Sequence, residues 1–285
     1  MNKPSFNIRE MQPQDLPAAM DIKNREGWNQ TLTDWEFLLH DKNNCCLVAL
    51  HQDEVVATVS AIKYEHRLSW IGMMLVCQEY RGLGLAKTLM KAMLEKLQGY
   101  QAIKLDATPA GFPVYAGLGF VTEYRIWRMT RPASVQPPAP VTHISPLMEA
   151  FLEGMVDYDQ KNYGVNRKQL LEYLYRQSPE SAWIAQSGQS IHGYILGRPG
   201  TNYHQLGPLL AASTETAIAL LSSALAGLKD QAVVVDVVSD KEALLNWLQA
   251  QGFIQQRELI RMYYQQHRLP GNIARQFLIS GPELG

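Results

Sequence analysis

The strongest constraint on the fold is that the chain repeats itself. Gly119-Phe120 recurs 133 residues on as Gly252-Phe253, and Arg128-Met129 recurs at the same spacing as Arg261-Met262. The same offset carries Ala86 to Ala219. Solenoid repeats run to roughly 20–50 residues, so a period this long means duplicated domains. A chain of 285 residues has room for two. Residues 131–140 hold four prolines and no periodic pattern, which reads as a semi-rigid linker. The expected units are therefore residues 1–130 and 141–285.

Apolar periodicity gives both copies a similar element order. In the first copy, strands are expected over residues 6–9, 46–50, 55–64, 68–76, 102–106 and 121–129, with helices over 13–24 and 83–97. A further helix opens near Thr33, where Thr33 is the expected cap and Glu36 its partner three residues on. In the second copy, helices are expected over 146–160, 167–177, 214–228 and 242–249, and strands over 182–186, 191–196, 203–210, 233–238 and 253–264. This mixture makes the fold class α/β with a mixed sheet.

Chemistry concentrates at one strand-to-helix junction, Val76-Cys77-Gln78-Glu79-Tyr80-Arg81-Gly82-Leu83-Gly84-Leu85-Ala86-Lys87. The first amides of a helix have no internal partner, and the helix dipole favours an anion there. Gly82 and Gly84 keep side chains away from that backbone, and Arg81 adds a forked cation. A dinucleotide fingerprint would need a third glycine, but position 87 is Lys. A Walker A loop would need Gly directly before Lys87-Thr88, and position 86 is Ala.

The surviving pattern, Arg81-Gly82-x-Gly84-x-Ala86 between strand and helix, resembles the acyl-CoA pyrophosphate loop of the GNAT N-acetyltransferases. A second stretch supports it: Lys104-Leu105-Asp106-Ala107-Thr108-Pro109, then Tyr115 ahead of Gly119-Phe120. The resemblance implies two tandem GNAT-like folds, with acetyl-CoA as co-substrate. It implies that Arg81, Gly82, Leu83, Gly84, Leu85, Ala86 and Lys87 hold the pyrophosphate. Met74, Leu75 and Val76 would lie along the acyl-CoA arm, with Thr108 contacting it. Tyr115 takes the place of the family's general acid. The helical region before the first hairpin covers the acceptor side, so Trp28 and Trp35 are candidate acceptor contacts, with plain packing the other reading of each.

The general base is less marked. Asp106, at a strand end, is a candidate through a water, with capping of the Thr108-Pro109 turn as the alternative. Glu65 and His66 are weaker candidates. Cys77 reads as a packed thiol. At the offset of 133, Arg81, Gly82 and Gly84 become Thr214, Glu215 and Ala217, and Tyr115 becomes Leu248. The second copy therefore looks like a degenerate GNAT domain without a CoA site. Its Tyr163-Gly164-x-x-Arg167, Arg198-x-Gly200 and Gly207-Pro208 elements, and the closing Gly281-Pro282-Glu283-Leu284-Gly285, are similar to a tandem subgroup of that family.

The expected activity is acetyl transfer to the amine of a small acceptor, and the alternative is a non-catalytic acyl-CoA sensor. Arg167, Arg198 and Asp236 would be candidates were the ligand site in the second copy, against a reading as structural ion pairs. With 26 basic and 27 acidic residues, the charge gives no reason to expect nucleic acid or a membrane as partner. Three cysteines make no disulfide framework, and no metal-ligand spacing is present. The N-terminal stretch has no apolar run of the signal-peptide kind, so a reducing cytoplasm is the expected home.

Overall fold

The computed structural model describes residues 4–265 and 268–285, so Met1, Asn2 and Lys3 of the N-terminal stretch lie outside it. β1 (Asn7–Glu10) is followed by α1 (Leu16–Arg25) and α2 (Leu32–His40). β2 (Cys45–His51), β3 (Glu54–Tyr64) and β4 (Leu68–Val76) form an antiparallel meander. Then come α3 (Leu85–Lys96), β5 (Ala102–Ala107), the short α4 (Phe112–Ala116) and β6 (Phe120–Arg131). The second copy runs β7 (Ile144–Pro146), α5 (Leu152–Tyr163), α6 (Lys168–Gln177), β8 (Trp183–Ser187) and β9 (Ser190–Arg198). It continues with β10 (His204–Ala211), α7 (Thr214–Ala226), β11 (Val233–Val238), α8 (Glu242–Ala250), β12 (Ile254–Tyr264) and β13 (Gln276–Leu278).

Among the described residues, thirteen strands join one mixed sheet, in the order β1-β2-β3-β4-β5-β12-β6-β11-β13-β10-β9-β8-β7. The two copies exchange their last long strands. β12 lies beside β5 of the first copy, and β6 lies beside β11 of the second. The boundaries at 130 and 141 thus follow the sequence, while the sheet interleaves the copies in space.

The repeated Arg-Met pair locks this exchange. Arg261 lies opposite Asp106 in the ladder and holds it with two bonds of 2.9 Å. Arg128 lies opposite Asp236 and holds it with two of 2.7 Å. Both pairs are buried and bidentate, so each supplies geometric specificity as well as energy. A core of side chains from both copies backs the sheet, with Trp35, Leu38 and Trp70 packing among Met155, Leu170 and Tyr194. Burying each large side chain there contributes roughly 1.5–3 kcal/mol.

Several expectations change in detail. The cap of α2 is Thr31, not Thr33: the Thr31 hydroxyl accepts from the Asp34 amide, and Asp34 accepts from the Thr31 amide at 2.6 Å. Asp34 is then free to pair with Arg198 through its other oxygen at 2.7 Å. The helix expected from residue 146 starts later, because Pro146 ends β7. The three-residue strands β7 and β13 are too short to leave a periodic signal. Among the described residues no helix is long and apolar enough to cross a membrane.

Candidate active site

β4 and β5 are parallel neighbours only as far as Ile71 and Leu105. Beyond that point β5 pairs with β12 alone, through Asp106 and Ala107. β4 meanwhile carries one extra residue against β3: Ser60 faces Gly72 but Thr58 faces Leu75. The bulge places Met73 at φ 49°, a conformation strained for a side chain of its kind. The Thr58 hydroxyl fixes it by donating to the Met73 carbonyl at 2.7 Å. The strands therefore part like a wedge, and the edge of β4 from Gly72 to Val76 faces open space. A cleft of about 750 Å³ fills this wedge.

At the mouth of the cleft the chain turns into α3. Gly82 and Gly84 stand at φ 77° and 82°, where any other residue would be strained. Gly84 is the residue before the helix, and no side chain caps the helix end. The first helical bond runs from the Thr88 amide to the Gly84 carbonyl. The amides of Leu85, Ala86 and Lys87 therefore donate to no backbone carbonyl among the described residues. This is an anion cradle by both geometry and dipole. Arg81 does not reach into it: its guanidinium pairs with Glu26 at 2.5 Å and donates to the Val76 carbonyl at 3.1 Å.

The cleft brings together most of the expected residues. Met74, Leu75, Val76, Arg81, Gly82, Gly84, Leu85, Ala86, Lys87, Thr108, Asp106, Tyr115 and Trp28 all line it. Leu83 does not; it is an exposed apolar side chain on the outside of the turn. Trp35 does not either. It is wholly buried beside Leu38 and Trp70, which leaves it a packing role, while Trp28 is on the cleft wall.

Tyr115 is half-buried on α4, and only burial acts on its hydroxyl, raising its pKa. The hydroxyl keeps its proton at any ordinary pH. Thr108 accepts from the Gly111 amide at 3.2 Å and so caps its own turn. That removes the capping alternative for Asp106. The base reading for Asp106 fails on geometry as well, since both its oxygens are committed to Arg261 and its side chain is fully buried. Burial works against the Arg261 charge, but the Asp106 carboxylate outweighs it and keeps the guanidinium protonated. Glu65 and His66 sit in the β3–β4 turn, at the end of β4 away from the loop. Burial pushes the Cys77 thiol up, as a packed, protonated thiol requires. Arg167 pairs with Asp159, Arg198 with Asp34 and Glu283, and Asp236 with Arg128.

The second copy also contributes to the cleft, which the sequence did not reveal. Arg257, Pro282 and Glu283 line it. The closing segment passes so near Gly72 that a Cβ there would sit 2.7 Å from the Glu283 backbone. Trp70 anchors that segment, its indole N–H donating to the Pro282 carbonyl at 3.0 Å. The glycine at 72, inside β4, is the sequence signal that fits another chain segment coming close. Among the described residues no cluster of His, Cys, Asp and Glu is arranged to hold a metal ion.

Comparison with known proteins agrees with this geometry. Residues 8–120 match the model of the "Acetyltransferase (GNAT) family", and residues 155–278 match that of an "Acetyltransferase (GNAT) domain". Together the two matches span more than half of the chain. The chain belongs to the GNAT acetyltransferase family. It is a tandem GNAT protein and an acyltransferase, and the family uses an acyl-CoA donor. The holothin acyltransferase of a Pseudoalteromonas strain is 25% identical over 239 residues, 84% of this chain and 81% of that protein. An uncharacterized N-acetyltransferase of Bacillus subtilis, YitH, is 27% identical over 70% of this chain and 71% of its own. Among solved structures, one chain from Pyrococcus horikoshii overlays with a TM-score of 0.80 at 22% identity, covering 98% of this chain and 96% of that one. A tandem GNAT protein from the clavulanic acid biosynthesis pathway overlays at 0.65 with 11% identity, covering 91% and 98%.

Proposed function

We propose that this GNAT protein transfers an acetyl group from acetyl-CoA to the amine of a small acceptor. The donor site lies in residues 1–130, residues 131–140 link the copies, and residues 141–285 bind no CoA. The observation that carries this reading is the wedge between β4 and β5, with an uncapped helix N-terminus at its mouth and Tyr115 along its wall. The amides of Leu85, Ala86 and Lys87 hold the diphosphate, and Lys87 stands close enough to assist. Each such charge-assisted bond is worth roughly 1.5–3 kcal/mol. The edge of β4 at Met74, Leu75 and Val76 that β5 leaves open faces the pantetheine arm and the thioester carbonyl, and an amide N–H on that edge polarises the carbonyl as its oxygen gains charge.

The acceptor nitrogen attacks the thioester carbon. A C–N bond forms, the C–S bond breaks, the departing thiolate takes the Tyr115 proton, and the proton shed by the acylated nitrogen restores the phenol. A phenol of ordinary pKa about 10 is a modest acid for a thiolate of about 8.5, and burial weakens it further, so its position matters more than its acidity. An alkyl ammonium of pKa about 10.4 costs roughly 4–5 kcal/mol to deprotonate at pH 7. With Asp106 sealed by Arg261, that proton leaves by way of cleft water. The holothin acyltransferase among the relatives supports a small acceptor. The test is acetyl-CoA-dependent thioester consumption over a panel of amines, amino acids and aminoglycosides. Turnover of one member supports the reading, and acetyl-CoA binding without any turnover contradicts it.

A further inference from the structure

The acceptor end of the cleft carries two second-copy groups of opposite charge, and they are not bonded to each other. Arg257 lines the cleft, and its Nε is buried without a partner. Its place is set by a bulge: Gln255 faces Met129 and Arg257 faces Arg128, so Gln256 is the extra residue. Bulges next to sites commonly re-aim a side chain. Facing residues in an antiparallel ladder share a sheet face, so Arg257, Arg128 and Asp236 form a row across β12, β6 and β11. Asp236 is already engaged bidentately by Arg128, with Gln205 donating to it at 3.1 Å. The row therefore keeps one guanidinium in excess.

The second group is Glu283, also on the cleft wall. One of its oxygens accepts from Arg198; the other, Oε2, is buried without a partner. Arg198 is shared with Asp34, so Glu283 does not have that guanidinium to itself. The remaining cleft charges are already assigned. Arg81 pairs with Glu26, Asp106 pairs with Arg261, and Lys87 stands at the far end beside the helix N-terminus.

We propose that the acceptor is a zwitterion, a compact α-amino acid whose carboxylate is received by Arg257 and whose ammonium is drawn toward Glu283. This rests on the transfer reading above and adds the class of acceptor. The nitrogen to be acylated is the α-amine, which gives up its proton before attack. The fork of Arg257 suits a carboxylate through two parallel N–H···O bonds. The second copy, without a CoA cradle of its own, supplies the acceptor recognition of the first.

The test uses the full chain with acetyl-CoA and three matched sets of amines: free α-amino acids, their primary amides, and the corresponding decarboxylated amines. Free amino acids are expected to lead their amides by roughly tenfold to a hundredfold in kcat/KM, the worth of a charge-assisted pair. Arg257→Leu should erase that lead through KM, with acetyl-CoA affinity from calorimetry unchanged. Arg257→Lys should restore part of it. Since Arg257 has no carboxylate partner to strand, these variants should fold. Equal use of all three sets by the wild type, or an unchanged lead in Arg257→Leu, overturns the zwitterion proposal while leaving acyl transfer intact. Turnover of none of the amines, with acetyl-CoA still bound, overturns the transfer reading and this proposal with it.

Discussion

The same sheet position is built twice in this chain, once open and once closed. In the first copy β4 and β5 part beyond Ile71, and the wedge is a cleft. In the second copy β10 and β11 pair from His204 to Leu206 and then part in the same way. There β13 enters the gap, pairing with Leu209 and Leu210 of β10 and with Val237 of β11. The helix after each wedge differs in its cap. α3 starts at Leu85 with Gly84 before it and no side-chain cap. α7 starts at Thr214, and the Ser213 hydroxyl before it accepts from the Thr216 amide. Leu248, the counterpart of Tyr115, is wholly buried. Three differences set the second wedge apart: a strand in the gap, a cap on the helix, and the buried Leu248 in place of Tyr115.

The largest effects should come from what the copies share. Removing one partner of a buried ion pair costs roughly 3–5 kcal/mol. Asp106→Asn and Asp236→Asn should each lower the urea unfolding free energy by about that much, because each secures one exchanged strand. If Asp106→Asn instead left stability intact and removed turnover, Asp106 would be the base after all, and the symmetry of the two pairs would be broken.

The next effect lies where the copies differ. Gly84→Glu forces a side chain onto a backbone at φ 82° and adds a carboxylate to the anion cradle. Acetyl-CoA affinity should fall by a hundredfold or more, roughly 3 kcal/mol. The matching change on α7, Ala217→Glu, should leave affinity alone.

Acid should affect the closed wedge first. His204 opens the paired stretch of β10 and β11, and burial lowers its pKa to about 4. Above pH about 6.5 it is neutral folded or unfolded, and nothing is lost. As pH falls from about 6.5 to about 4, the unfolded chain takes up a proton that the folded chain refuses. Stability should drop by roughly 3 kcal/mol across that window. A urea midpoint measured at pH 7.5 and pH 4.5 should shift much less in His204→Gln; equal shifts would place the acid sensitivity elsewhere.

The smallest effect is expected from Tyr115→Phe. Turnover should fall about tenfold to a hundredfold, at the low end of general-acid contributions because burial has weakened the acid. Acetyl-CoA affinity should not change. Turnover equal to the wild type would leave the hydroxyl without a role.

Local chemistry was legible in the sequence because its physics is local. The turn from Arg81 to Ala86, Tyr115 ahead of Gly119, and the missing glycines of the second copy each occupy a few consecutive residues. The strand exchange was not legible, since β6 and β12 present the same alternation whichever copy they join. Asp106 read as a candidate base because its partner, Arg261, lies 155 residues away. Trp28 and Trp35 were both candidate acceptor contacts in the sequence, and the fold separates them by burying Trp35. β13 is three residues long, and its effect on the second wedge comes from where it lies rather than what it contains.

One site open and one closed is the central claim, and the number of CoA molecules bound tests it most directly. Calorimetric titration of the full chain with acetyl-CoA should give one site per chain, and that site should vanish in Gly84→Glu. Two sites per chain, or a site that survives Gly84→Glu, would contradict it.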